Sequence, residues 1–220
     1  MPFAANIILF RDYVNFLSSV FPAATKSKRF FVKESEILHH LRSTGALLHG
    51  HFLLRSGLHS DQYFQGALLL QHTLIASELC AVLAQPWQDS AIDLVLSPAI
   101  GGIIVGQELG RALKTRAVFA EKDDESGLIL RRGFEIKPGE RILIGEDVVT
   151  RGGRVQQAID LARSYGGNVV GVATLIDRSA GQVDFGVPYR SLMQLNLPTY
   201  TPEECPMCQQ GLPIDKPGSK

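Results

Sequence analysis

The sequence predicts a doubly wound α/β fold, built on a mainly parallel sheet with a small N-terminal hood subdomain. Short apolar runs alternate with helical-period segments between Asp93 and Asp177, as a parallel sheet covered on both faces requires. The residues of unusual chemistry fall at the carboxyl ends of those runs, where ligands bind in open α/β sheets. Finally, 220 residues with 45% hydrophobic and 20% charged side chains suffice for one globular domain with an appendage.

Along the chain, residues 1–32 read as an extension of uncertain order. They hold Asp12 against Arg11, Lys26, Lys28 and Arg29, faintly like an organellar transit peptide, but Phe21-Pro22 interrupts them and a basic start and small-residue cleavage site are lacking. Ile37, Leu38, Leu41, Leu47 and Leu48 have helical spacing, which predicts a short helix over Lys33–Leu48. Gly50–Gln65 alternates as two strands about a Ser56-Gly57 turn, giving the hood. Leu74–Leu83 is a helix ending before Pro86.

The repeating unit begins there. Strand Asp93–Ser97 leads through P-A-I-G-G to helix Ile103–Leu113, and strand Arg116–Ala120 is followed by a charged, glycine-containing loop over Glu121–Pro138. Strand Arg141–Gly145, helix Val155–Gly166 and strand Asn168–Asp177 complete it. The resulting division is extension 1–32, hood 33–73, core 74–200 and tail 201–220.

The 22 basic and 22 acidic residues balance, so no broad cationic surface for nucleic acid is expected. No run approaches the ~20 apolar residues of a membrane span. Three cysteines, Cys80, Cys205 and Cys208, make no disulfide framework and fit a reducing cytoplasm. The C-P-M-C pair offers two ligands where structural zinc takes four, with no second pair and no histidine nearby in sequence. Nor do His39, His40, His49, His51, His59 and His72 show an i, i+4 pair with a third ligand, so no metal centre is expected. The proline-rich surroundings of the pair speak against redox chemistry.

The chemistry concentrates in I-L-I-G-E-D-V-V-T-R-G-G-R-V, Ile142–Val155. A buried strand delivers Glu146 and Asp147, followed by Val148 and Val149. Thr150, Arg151, Gly152, Gly153 and Arg154 then open a helix whose N–H groups, hydroxyl and guanidinium donors make an anion cradle. The cradle suits a phosphate monoester. Two carboxylates beside it suit neutral hydroxyls, so a sugar phosphate matches both ends.

This segment resembles the phosphoribosyl-pyrophosphate signature of type I phosphoribosyltransferases. Together with F-L-L-R-S-G-L-H-S-D-Q-Y-F, S-P-A-I-G-G, F-A-E-K, L-R-R-G-F-E-I, Asp177-Arg178-Ser179 and the tail C-P-M-C…K-P-G-S-K, the chain from about residue 34 to 220 is similar to orotate phosphoribosyltransferases. The resemblance implies the type I fold and transfer of ribose 5-phosphate from 5-phospho-α-D-ribose 1-diphosphate to orotate, in UMP synthesis. It also implies Mg2+ held mainly through the substrate diphosphate, and a homodimer. It assigns Asp147 to proton transfer, Glu146 to the sugar hydroxyls, and Lys122 to a lid closing over the substrates, with Gly127 and Gly133 as hinges. Arg178, Thr150 and Arg55 would contact or cover orotate, and Ile100 and Gly101 would supply backbone donors to pyrophosphate. Arg131 and Arg132 adjoin the lid without a defined role.

Three positions in two loops depart from the pattern. Gly101 stands where many relatives have lysine, and Arg151 and Arg154 stand where some have smaller residues. Blander readings remain beside these: Arg178 as an ion-pair partner of Asp177, and Lys122 as a solvated member of the run E-K-D-D-E. Two functional alternatives also stand, a purine-base transferase of the same fold and a noncatalytic regulator. Neutral charge and the lack of a winged-helix segment weigh against the regulator.

Overall fold

The computed structural model describes residues 32–54, 56–125 and 127–217. The expectations attached to residues 1–31 and to Arg55 lie outside the described residues. In order come α1 (Glu34–Ser43), β1 (Leu47–Leu53), β2 (His59–Phe64), α2 (Gly66–Leu70), α3 (Thr73–Ala84) and β3 (Leu94–Pro98). They are followed by α4 (Gly101–Leu113), β4 (Arg116–Asp123), β5 (Gly127–Leu130), β6 (Arg141–Val149), α5 (Gly153–Ser164), β7 (Asn168–Asp177), β8 (Tyr189–Gln194) and α6 (Pro206–Gln209).

Six strands form one sheet in the order β5-β4-β3-β6-β7-β8, parallel except for β5, which pairs antiparallel with β4. The chain winds from β3 outward to β4 and β5, then returns to lay β6 on the other side of β3. That reversal opens a crevice beyond the carboxyl ends of β3 and β6.

Alternation along the central strands divides the core between two faces. Val95 and Leu143 pack with Val105 and Leu109 of α4 and with Leu79 and Leu83 of α3, in a cluster that also takes in Ile37, Leu41 and Phe64 of the hood region. Leu94, Leu96, Ile142 and Ile144 pack with Val155, Ala158, Ile159 and Ala162 of α5. Both faces are therefore covered, and each fully buried leucine or isoleucine contributes roughly 1.5–3 kcal/mol.

Several boundaries differ from the sequence reading. The first helix ends at Ser43, because Gly45 turns the chain with a φ of +69°, and Leu47 and Leu48 belong to β1. Glu121–Pro138 is not all loop: β4 runs on to Asp123 and pairs with β5, bringing Arg131 to 3.1 Å from Asp123 and Arg132 to 2.8 Å from Glu121. Cross-strand charge pairing lets this polar segment form a hairpin. β6 continues to Val149, so Glu146–Val149 are strand residues. β8 follows β7 with no helix between them, so the alternating strand–helix pattern of the sequence does not announce it.

The tail returns to the hood hairpin. Asp215 bonds through its backbone to His51 and Leu53, at 2.8 and 2.9 Å, and Tyr200 exchanges two 2.9 Å backbone bonds with His59. This return brings Cys205 and Cys208 against His51 and His59, although no histidine is near the C-P-M-C pair in sequence. The reason is tertiary pairing between segments far apart in sequence. Among the described residues, no helix is long and apolar enough to cross a membrane.

Candidate active site

β6 carries the acidic pair into the crevice. Glu146 is 7% exposed, and its Oε1 accepts the N–H of Asp147 at 3.1 Å, while Asp147 Oδ1 accepts the N–H of Val148 at 2.8 Å. Among the described residues neither acid has an ion pair within 4.0 Å. Burial, then repulsion from Asp147, pushes the Glu146 carboxyl well above the ordinary carboxylate range, and the Arg154 guanidinium offsets part of this. Burial likewise pushes Asp147 up, against the hydrogen bonds that favour its charged form.

Glycines let the backbone close around these carboxylates. A β-carbon on Gly66 would stand 2.5 Å from Asp147 Oδ2, one on Gly101 would also collide with that oxygen, and one on Gly102 would stand 2.8 Å from Glu146 Oε1. Gly101, which departs from the family pattern, therefore has a local reason in this chain: a side chain there would meet Asp147.

The cradle lies on adjoining strands. After β6, Thr150 and Arg151 are exposed and Gly152 adopts a φ of +75° to start α5. No acid occupies the first turn of α5 and no side chain caps it, so its first N–H groups and positive dipole end are open to an anion. Arg154 adds a buried guanidinium nitrogen without a hydrogen-bond partner. After β3, a turn with a cis Ala99–Ile100 peptide bond leads into α4, whose first turn is likewise without acid or side-chain cap. Ile100 is exposed there.

At the end of β7, Asp177 Oδ1 accepts the Ser179 N–H at 2.8 Å and does not pair with Arg178. Arg178 Nε is buried without a partner, so the ion-pair reading is not what the fold adopts. Burial lowers the Arg178 pKa, and Tyr63 of β2 is near enough to oppose that. Tyr63 packs its ring 5.8 Å from Phe52, placing a hood aromatic beside this cation.

Lys122 belongs to another strand, β4. It lies exposed on the β4–β5 edge hairpin, where Nζ is 2.9 Å from Asp124 Oδ1. Gly127 and Gly133, the expected hinges, have φ values of +85° and +73°. The sequence reading brings out Glu146 through Arg154 and Arg178, and holds Tyr63 and Ser179 within its quoted motifs without a role for the buried, unpartnered Ser179 hydroxyl, but it misses Gly66. Gly66 carries no signal of its own, because its role is to lack a side chain.

A phosphoribosyl transferase domain model matches residues 69–191. Among curated proteins, the orotate phosphoribosyltransferase of Carboxydothermus hydrogenoformans is 53% identical over 177 residues, covering 80% of this chain and 92% of the relative. That of Thermus thermophilus is 46% identical over 181 residues, covering 82% and 99%. Among solved structures, orotate phosphoribosyltransferase from Aeropyrum pernix superposes with a TM-score of 0.62 at 24% identity, covering 72% of this chain and 93% of that one. Adenine phosphoribosyltransferase from Rhodothermus marinus gives 0.58 at 23% identity, covering 74% and 100%. These two share the fold.

Proposed function

The chain belongs to the orotate phosphoribosyltransferase family, and on that premise we propose that it transfers ribose 5-phosphate from 5-phospho-α-D-ribose 1-diphosphate to orotate. The products are orotidine 5′-phosphate and pyrophosphate, a step of pyrimidine nucleotide synthesis. The observation that carries the reading is an acidic pair, Glu146 buried and Asp147 half-buried, beside two acid-free, uncapped helix starts at the sheet's switch point.

In this reading the first turn of α5, with Thr150, Arg151 and Arg154, holds the 5-phosphate. Glu146 accepts hydrogen bonds from the ribose hydroxyls. Asp147, its pKa raised by burial, exchanges a proton near the sugar and base. The turn at Ile100 and Gly101 offers N–H donors to the diphosphate. Arg178 presents a bidentate fork to the orotate carboxylate, and Tyr63 closes the hood beside it. Lys122, exposed on the edge hairpin, exchanges Asp124 for the leaving group when the hairpin closes, within a homodimer.

The donor set also suits a hard divalent cation, since among the described residues neither Glu146 nor Asp147 has an ion-pair partner within 4.0 Å. Mg2+ would be held mainly by the substrate diphosphate with these oxygens at hand, and would neutralise charge on the departing pyrophosphate. A cytoplasmic location is the compartment in which three free cysteines stay reduced.

The test is turnover. Purified protein with orotate, the sugar diphosphate and Mg2+ should deplete orotate absorbance, whereas adenine and hypoxanthine should not be consumed. Consumption of a purine base with orotate untouched would overturn the assignment. The unpartnered Arg178 favours an anionic base.

A further inference from the structure

We propose that His51, His59, Cys205 and Cys208 form a four-ligand zinc site that clasps the C-terminal tail to the hood hairpin. The four donor atoms all lie within 4.8 Å of one another. His51 Nε2 is 2.9 Å from His59 Nδ1, 3.5 Å from Cys205 Sγ and 3.6 Å from Cys208 Sγ, and Cys208 Sγ is 3.2 Å from His59 Nδ1. A tetrahedral zinc with its ordinary bond lengths requires edges of about 3.6 Å between sulfur and nitrogen and about 3.3 Å between nitrogens. These four edges thus lie within a few tenths of an ångström of those lengths, and the remaining two do not exceed 4.8 Å.

The shell around it is arranged for the same purpose. The backbone carbonyl of Leu212 lies 2.9 Å from His51 Nδ1, which fixes that nitrogen as the donor and turns the lone pair of Nε2 inward. His51, His59 and Cys205 are buried. A proton shared between the two imidazoles would satisfy one nitrogen pair and leave two sulfurs crowded against it, whereas one divalent cation satisfies all four donors. Two thiolates and two imidazoles in tetrahedral array select zinc over hard cations such as magnesium. All four positions are filled by protein, so the site is structural and leaves none for substrate.

The clasp has a mechanical consequence. His51 lies on β1, His59 begins β2, Cys205 immediately precedes α6 and Cys208 lies within it, so the ion would cross-link three segments already joined by the Asp215 and Tyr200 backbone bonds. β2 carries Tyr63 toward Arg178, and the chain continues to Gly66 against Asp147. The tail then stabilises the hood from outside the crevice.

The experiment measures metal on the full chain, purified reduced and without a metal-affinity step, from zinc-supplemented medium. About one zinc per chain is expected, with loss of that zinc in the Cys205→Ser/Cys208→Ser variant. Because that variant can fail to fold, a second measurement uses the unaltered chain. Removing zinc with a chelator should lower Tm, zinc should restore it, and cobalt in its place should show the intense visible bands of a tetrahedral thiolate site. Substoichiometric zinc with no cobalt spectrum on reduced protein would overturn the proposal. So would a Cys205–Cys208 disulfide in the freshly isolated chain, or zinc retained by the folded double variant. None of these outcomes depends on which base is the substrate.

Discussion

The carboxylate of Asp147 rests against the backbone of Gly66, so tightly that a β-carbon on Gly66 would stand 2.5 Å from Oδ2. Gly66 opens α2, where alanine is favoured over glycine by up to about 1 kcal/mol once the turn is helical. Gly66→Ala should therefore leave Tm within a few degrees of the parent while displacing the carboxylate. A displacement near 1 Å can cost about a hundredfold in rate, so kcat/KM should fall by one to two orders of magnitude. Parallel thermal melts and steady-state kinetics check this; unchanged kinetics would remove Asp147 from the chemistry.

The raised Glu146 carboxyl ties stability to pH. A group whose pKa is higher folded than unfolded contributes stability below its unfolded value and loses it as pH rises through the folded one. The ligand-free protein should accordingly be penalised at neutral and alkaline pH, where burial opposes the charged form. Glu146→Gln removes that penalty. Its Tm should exceed the parent's at about pH 8, with the difference narrowing toward about pH 5. Its KM for the sugar diphosphate should nevertheless rise, since the amide is a weaker acceptor for the ribose hydroxyls. A Tm difference independent of pH would contradict the assignment.

How much of this was legible in the sequence depends on the range of each interaction. Strands β3, β6 and β7 announce themselves because both faces are covered, which writes continuous apolar runs such as I-L-I and V-A-T-L-I. Glu146 and Asp147 stand out because acids at the end of such a run are costly unless used. The β4–β5 hairpin was hidden by its charges, whose partners lie across the strands, as Arg132 and Glu121 do. The His51–Cys205 contact was beyond any local spacing rule, spanning 154 positions, and becomes visible only when the tail pairs with β1.

Arg178 has a buried Nε with no hydrogen-bond partner among the described residues, which leaves that donor available to a ligand. Hydrogen bonds to charged groups are worth about 1.5–3 kcal/mol, which predicts a rise of about 10- to 100-fold in KM for orotate in Arg178→Ala. Arg178→Lys should recover little, because a point charge cannot reproduce the bidentate geometry. KM for the sugar diphosphate should change much less. Equal effects on both substrates would place Arg178 at the sugar instead of the base.

Gly152 and Gly153 separate backbone conformation from phosphate approach. Gly152 has a φ of +75°, and a β-carbon there would sit 2.9 Å from Phe185 Cε1 and 3.2 Å from Val183 Cγ1, with Phe185 itself buried. Gly152→Ala should cost about 1–3 kcal/mol of stability and lower Tm by several degrees. At Gly153 the φ is unexceptional and, among the described residues, nothing lies within 4 Å of an added β-carbon. Gly153→Ala should therefore keep its Tm, yet raise KM for 5-phospho-α-D-ribose 1-diphosphate, because the methyl group occupies the space through which phosphate reaches the N–H groups of α5. Kinetics and melts on the pair measure both effects. A Gly153→Ala variant with unaltered KM would show that the phosphate does not approach this turn.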